Sequence, residues 1–172
     1  MYTPNYLQTS RLRLRPFMME DASELFRYAS DTEFSKYLNY DAPNSKDDAI
    51  DFLRMVLAGE MGTNLWAITL AEEPKVIGAV QFDVESSDSA SLHYEVARWL
   101  WGRGIASEAV AAILDWAKKI HPKIRKIQAD THIKNLASRR ILEKFGFMLI
   151  SIEDDVAYYV QILPSDNRNG AN

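Results

Sequence analysis

The chain has no cysteine among its 172 residues. That absence excludes disulfides, thiolate-bound zinc, cysteine-ligated iron–sulfur clusters and a thiol nucleophile within this chain. Long apolar runs are missing too. No stretch approaches the ~18–20 uninterrupted apolar residues of a spanning helix. The opening MYTPNYLQTSRLRLRP lacks the continuous apolar segment of a secretory signal. From these features a cytoplasmic location and no membrane partner are expected. Histidine is scarce (His93, His121, His132), and none pairs with a carboxylate at i, i+4 helical spacing, so no metal site is expected. An excess of basic charge is also lacking. Lys+Arg total 20 against 24 for Asp+Glu, a formal charge of −4, which argues against a direct nucleic-acid partner. No repeat is visible at a period of about 20–50 residues.

What is present is an ordinary globular composition, with 47% hydrophobic and 26% charged residues, unlike that of a disordered chain. The length suits one domain, 1–172, with an ordered core from about Leu7 to Leu163 and a polar tail from Ser165 to Asn172. Charge is unevenly placed. Residues 20–51 carry nine acidic side chains (Glu20, Asp21, Glu24, Asp31, Glu33, Asp41, Asp47, Asp48, Asp51) against three basic ones. Residues 118–144 carry nine basic side chains against Asp130 and Glu143. These are either two solvated helical faces or the two ends of a dipolar protein, one suited to a cation and the other to an anion.

Periodicity predicts a strand around Leu12–Leu14, stopped by Pro16, then a helix over Glu20–Ser30. Asn44-Ser45 offers a cap for a second helix. Three strands follow as a meander, Asn64–Leu70, Val76–Val84 and Ser91–Trp99, joined by polar turns at 72–75 and 86–89. A helix from about Ala106 to Ile120 is ended by Pro122. A strand over Ile124–Thr131, a helix capped by Asn135 and closed near Gly146, and strands Phe147–Ile152 and Val156–Leu163 complete the chain. An antiparallel meander followed by strand–helix–strand implies a mixed α/β sheet of about seven strands, with a parallel pair where a ligand can enter. Exposed strand edges allow a homodimer.

The most informative segment is LHYEVARWLWGRGIASEAV, Leu92 to Val110, in which a strand runs through a Gly-x-Gly turn directly into a helix. Gly102 and Gly104 let backbone N–H groups approach a bulky ligand, and the unpaired N–H groups of the first helical turn favour an anion such as phosphate. Arg98 and Arg103 add positive charge. No Gly-Lys-Ser/Thr follows, so this is no P-loop. The third glycine and the setting of a dinucleotide fold are missing as well. Strand alternation puts His93 and Glu95 on one face, with Tyr94 and Val96 on the other. A carboxylate partly desolvated there takes up protons more readily, which suits Glu95 to a general base with His93 as relay. The plainer alternatives are a solvated or paired glutamate and a structural histidine.

WGRGIASEAV resembles the pyrophosphate-binding motif Gln/Arg-x-x-Gly-x-Gly/Ala of the GNAT superfamily of N-acetyltransferases. Gly104 and Ala106 match its last two fixed positions, while Trp101 stands where Gln or Arg is usual. TSRLRLRP, HYEVA, GIASEA and NLASRRILEKFGF occur in the order found in the RimJ/RimL-like branch, over Leu7 to Leu163. The resemblance implies the GNAT fold, with a splayed central strand pair, and acetyl-coenzyme A as acyl donor. It places Val96 against the pantetheine arm, Arg98 after the bulge, and Gly102, Arg103, Gly104, Ile105, Ala106 and Ser107 around the pyrophosphate. Asn135 lies near the pantetheine, and Ser138 near the coenzyme sulfur as candidate acid; Tyr158 and Tyr159 compete for that role. Arg139, Arg140 and Lys144 are candidates for the 3′-phosphate, and His132 and Lys134 for the mouth of the site. Without a cysteine, transfer would be direct to a primary amine. The implied acceptor is a protein N-terminus, ribosomal or other. The alternatives are a small-molecule amine (polyamine, aminoglycoside, amino acid) or a non-catalytic acyl-CoA-binding module.

Overall fold

The computed structural model describes residues 6–38, 41–62 and 64–164, and the expected polar tail lies outside these described residues. Strands β1 (Leu7–Gln8), β2 (Leu12–Arg15), β3 (Leu65–Leu70), β4 (Glu73–Val84), β5 (Ser89–Val96), β6 (Lys126–His132), β7 (Met148–Glu153) and β8 (Val156–Ile162) form one sheet in the order β1-β2-β3-β4-β5-β6-β8-β7. Helices α1 (Ala22–Ala29), α2 (Thr32–Ser35) and α3 (Lys46–Ala58) precede β3, while α4 (Ile105–Ile120) and α5 (Leu136–Lys144) flank β6. The mixed α/β architecture is as expected, but with eight strands. The additional one is the two-residue β1, which folds back on β2 as Leu7↔Leu14 and Gln8↔Arg13. A run that short carries no alternation to reveal it. The third meander strand ends at Val96 rather than Trp99, because the chain turns at Ala97 into a 3-10 turn over Arg98–Leu100.

The central strands are buried on both faces, as the unbroken burial of β3 from Leu65 to Thr69 shows. On one face Trp66, Val80, Phe82 and Leu92 pack against Val110, Ile113 and Trp116 of α4 and Leu142 of α5. On the other, Leu65, Ala67 and Ala79 pack against Leu25 and Tyr28 of α1 and Leu53 of α3. A buried ion pair anchors α1 to the sheet. Arg15 gives Nη1 and Nη2 to the two carboxylate oxygens of Asp21 at 2.8 and 2.7 Å, and Nη2 also donates to the Pro74 carbonyl at 3.0 Å. Two parallel charge-assisted bonds with further partners are the arrangement that makes a buried pair tolerable. Ser45 caps α3 as the spacing predicts, accepting from the Asp48 amide at 3.2 Å.

One pairing is parallel, and it is short: Ser89↔Lys126, Ala90↔Ile127 and Ser91↔Gln128. Beyond it β5 stays with β4, through Phe82↔Leu92 to Gly78↔Val96, while β6 stays with β8. The two central strands therefore part from Leu92 and Ala129 onward. Gly78 permits this. A Cβ at that position would lie 2.2 Å from the Glu95 carbonyl oxygen and 3.0 Å from the Val96 Cα, so only glycine lets β5 close onto β4 here. Gly78→Ala is expected to destabilise the fold by roughly 1–3 kcal/mol, since the obstacle is backbone and cannot rotate aside. Denaturant unfolding measures this, and an unchanged midpoint would show that β5 has room to relax.

Candidate active site

The parting of β5 from β6 leaves the end of β5 facing two helical layers, and alternation divides its side chains between them. Glu95 and His93 stand opposite Ala79 and Gln81 and take the α1/α3 face. Tyr94 stands opposite Val80 and takes the α4/α5 face. Glu95 is half-buried, and the fully buried Tyr28 of α1 donates its phenol to Glu95 Oε1 at 2.8 Å. His93 lies across from Gln81, whose amide donates to the Met61 carbonyl at 2.7 Å. On the same face, burial holds the Asp83 carboxyl above the ordinary carboxylate range, although the Gln81 amide and His93 pull it down.

The chain around α1 and α2 is tied to both sides of the gap. Arg27 lies over the Trp99 ring at 4.6 Å, and Asp31 pairs with Arg98 Nε at 3.0 Å on the β5 side. On the β6 side, Tyr37 packs its ring 5.8 Å from that of His132. Desolvation lifts the Asp31 carboxyl, but the Phe34 amide, the Arg98 guanidinium and the Glu33 amide outweigh it and hold the group below its ordinary value. The acidic stretch is thus largely paired. Asp21, Glu24, Asp31, Glu33 and Asp51 each meet a cation, namely Arg15, Arg27, Arg98, Lys36 and Arg54. Charge counting over that stretch sees Arg27 and Lys36 but not Arg15, Arg54 and Arg98, which lie outside it.

Across the gap, Asn135 caps α5 with its Oδ1 accepting from the Ser138 amide at 3.1 Å. Ser138 is half-buried, and its Oγ lies 2.9 Å from Tyr94 Oη. Of the competing tyrosines, Tyr159 is engaged, accepting from Arg139 Nε at 2.9 Å and donating to Glu143 Oε1 at 3.3 Å. Arg139 also reaches the Ile133 carbonyl at 3.3 Å, so it serves the α5–β8 contact rather than an open face. Arg140 and Lys134 are exposed, and the Lys134 amide donates to His132 Nδ1 at 3.1 Å.

Between these groups and the start of α4 lies the glycine turn. Gly102 and Gly104 adopt left-handed φ values of 73° and 75°, and Gly104 caps α4 without a side chain. The N–H groups of Ile105, Ala106 and Ser107 open the first helical turn, where they lack partners within the helix. A Cβ on Gly102 would meet nothing within 4 Å, so the turn has open space in front of it. Arg98 and Arg103 are exposed beside it. A sixteen-residue helix dipole, open space and the exposed Arg103 fit a pyrophosphate, while Arg98 is held by Asp31. The turn is braced from β2's side. Arg11 gives Nη1 to the Arg103 carbonyl at 2.9 Å and Nε to Glu108 Oε2 at 2.6 Å. Glu108 Oε1 accepts from Thr9 and Ser10 hydroxyls and the Arg11 amide. The Trp101 indole donates to the Val96 carbonyl at 2.7 Å, so this tryptophan, unusual for the motif, closes the strand end from within the chain.

The structure therefore places Glu95 and Ser138 against opposite faces of the end of β5, where it leaves β6, with residues 102–107 following in the chain. Sequence reading missed Tyr28, Tyr94 as a partner of Ser138, and the Arg11–Glu108 brace. The alternation in HYEVA showed which way Tyr94 points; no local pattern shows what it meets.

A model of the acetyltransferase (GNAT) domain matches residues 11–148. The chain is 32% identical over 145 residues to the uncharacterized N-acetyltransferase p20 of Bacillus licheniformis, covering 82% of this chain and 81% of that one. Its fold is similar to the crystal structure of a GNAT-family acetyltransferase from Bacillus anthracis, with a TM-score of 0.79 at 22% identity, covering 92% of this chain and 98% of the other. It is also similar to RimL, a ribosomal L7/L12 alpha-N-protein acetyltransferase in complex with coenzyme A, with a TM-score of 0.78 at 16% identity, covering 94% and 100%.

Glu108 makes the brace dependent on pH. Desolvation raises its carboxyl, but Thr9, Arg11 and Ser10 outweigh that and hold it below the ordinary 4.5. A lowered folded value means stability present above the unfolded value and lost as pH falls through the folded one. Glu108→Gln should therefore melt below the parent near neutral pH, with the gap closing as pH falls below the ordinary 4.5. A gap that is constant over this range would assign the contribution to packing rather than charge.

Proposed function

The chain belongs to the acetyltransferase (GNAT) family, and on that premise we propose that it moves the acetyl group of acetyl-coenzyme A directly to the α-amine of a protein or peptide N-terminus. The observation that carries this reading is the gap itself. Where β5 leaves β6, Glu95 stands on one face of the strand end, Ser138 meets Tyr94 on the other, and the start of α4, without a side-chain cap, follows in the chain.

Bound acetyl-coenzyme A would supply a thioester carbonyl for attack by nitrogen, and a thiol as leaving group. In this reading the N–H groups of Gly102 and of Gly104 to Ser107, with the Arg103 guanidinium, hold the pyrophosphate, with Arg98 beside them. Asn135 fixes the first turn of α5 next to the pantetheine arm, and the backbone at Val96 borders it. Glu95 removes one proton from the ammonium group of the acceptor and passes it toward solvent along the face that carries His93. Ser138 faces the sulfur. Its hydroxyl donates to the sulfur as the C–S bond breaks, and takes up the second nitrogen proton as it gives its own. The serine ends unchanged, and the net products are the amide, the thiol and one released proton. No enzyme-bound acyl group is needed, consistent with a chain that has no cysteine. The N-terminus is favoured over other amines by the fold-level likeness to RimL, whose acceptor is a ribosomal protein α-amine.

Thiol release from acetyl-coenzyme A tests each part. Glu95→Gln and Ser138→Ala are expected to lower kcat by about 100-fold while the coenzyme KM stays within about twofold. Gly104→Asp should abolish coenzyme binding in calorimetry, by bulk and like charge. Peptides with free N-termini should outrun free lysine, polyamines and aminoglycosides. Faster turnover of a small amine would overturn the acceptor, and no amine-dependent thiol release would overturn the enzymatic reading.

A further inference from the structure

Tyr94 leaves β5 three residues beyond its last pairing with β6, at Ser91, and reaches across the gap to the first turn of α5. Its Oη lies within hydrogen-bond distance of two atoms of one residue, Ser138 Oγ at 2.9 Å and Ser138 O at 3.1 Å. A phenol has a single hydrogen, so it is given to one of these two atoms at a time. In one arrangement, Tyr94 donates to the Ser138 carbonyl and accepts the serine hydroxyl. In the other, Tyr94 donates to Ser138 Oγ, and the serine hydrogen is free to turn elsewhere. The two differ by rotations about C–O bonds, with no covalent bond made or broken and no proton gained or lost.

We propose that Tyr94 is the positioning residue for Ser138: its phenol holds the serine at the edge of the gap, and the shift of its one hydrogen from the carbonyl to Oγ turns the serine hydrogen toward the leaving sulfur. The proposal rests on the reading of Ser138 as the group that faces the sulfur. Two further observations support it. The Asn135 cap on the Ser138 amide fixes the backbone, so the side-chain hydroxyl is the part left to orient. Burial holds the Tyr94 phenol well above its ordinary value, which keeps the hydrogen on the oxygen and makes it a donor rather than an acid consumed in the reaction. Tyr28 does not duplicate this role, because it stands on the opposite face of β5 and donates to Glu95.

A kinetic double-mutant cycle decides it, using thiol release from acetyl-coenzyme A with whichever amine the parent protein acetylates fastest. Tyr94→Phe keeps the ring and removes only the oxygen. It should lower kcat by about tenfold with the coenzyme KM within about twofold, and it should cost nothing further once Ser138→Ala is in place. In Ser138→Thr, which keeps a hydroxyl, the penalty of Tyr94→Phe should return. Equal penalties for Tyr94→Phe in the parent and Ser138→Ala backgrounds would overturn the proposal while leaving Ser138 its role. A raised KM with unchanged kcat would also overturn it, assigning Tyr94 to packing. Full kcat in Ser138→Ala would remove the serine from the reaction and Tyr94's role with it. Denaturant unfolding of all six proteins confirms that each is folded under assay conditions.

Discussion

The site depends on how closely β5 can approach β4. At Gly78 the two backbones approach so nearly that a single Cβ would collide with the Glu95 carbonyl. That contact lets β5 follow β4 to Val96 after only three parallel pairings with β6. A sheet that stayed closed would have buried both strand edges against each other. Because it opens, the end of β5 has neighbours on both faces and an open edge between them. Short parallel pairing also explains why a long helix is needed: β6 can lie beside β5 in the same direction only after the α4 crossover. The start of that crossover is the Gly102–Gly104 turn.

Around this opening the two faces are built differently. On the α1/α3 side, contacts come from side chains that reach across long sequence separations: Tyr28 to Glu95, Asp31 to Arg98, Tyr37 to His132. Their frame is held by the buried Arg15–Asp21 pair, which fixes the start of α1 against the sheet. On the α4/α5 side, the frame comes from helix starts. Gly104 leaves the α4 N-terminus uncapped and open to an anion, whereas Asn135 caps α5 and leaves only the Ser138 hydroxyl to be oriented. An uncapped helix start suits a ligand and a capped one suits a fixed side chain, and the chain places one of each at the same gap.

The paired acids show where counting along a chain misleads. The excess of carboxylates over residues 20–51 suggests an open anionic surface, yet five of them meet cations, three of these, Arg15, Arg54 and Arg98, from outside that stretch. The exposed pairs among them contribute little to stability, but each pairing weakens the field that the count implies. Arg139 is a similar case. Its place in a basic helix suggests a phosphate contact, while its guanidinium is turned to Tyr159 and the Ile133 carbonyl.

Much of the protein is legible in one dimension. Hydrophobic alternation and spacing locate the long strands and helices, Ser45 and Asn135 announce their caps, and Gly102 and Gly104 mark the turn, because each of these is decided by neighbours within a few residues. The alternation in HYEVA alone settles that Glu95 and Tyr94 face opposite ways. Other features have no local signature. The two-residue β1 exists only because β2 is there to pair with it. The narrowness of the contact at Gly78, the phenol of Tyr28 on Glu95, the phenol of Tyr94 on Ser138 and the brace of Arg11 on Glu108 join residues 17 to 97 positions apart. Such partners are chosen by sheet order and by the packing of helices on its two faces. The sequence by itself determined which side chains could take part and which way their strands and helices would aim them; the tertiary structure alone decided which of them meet, because only packing brings their elements within hydrogen-bond distance.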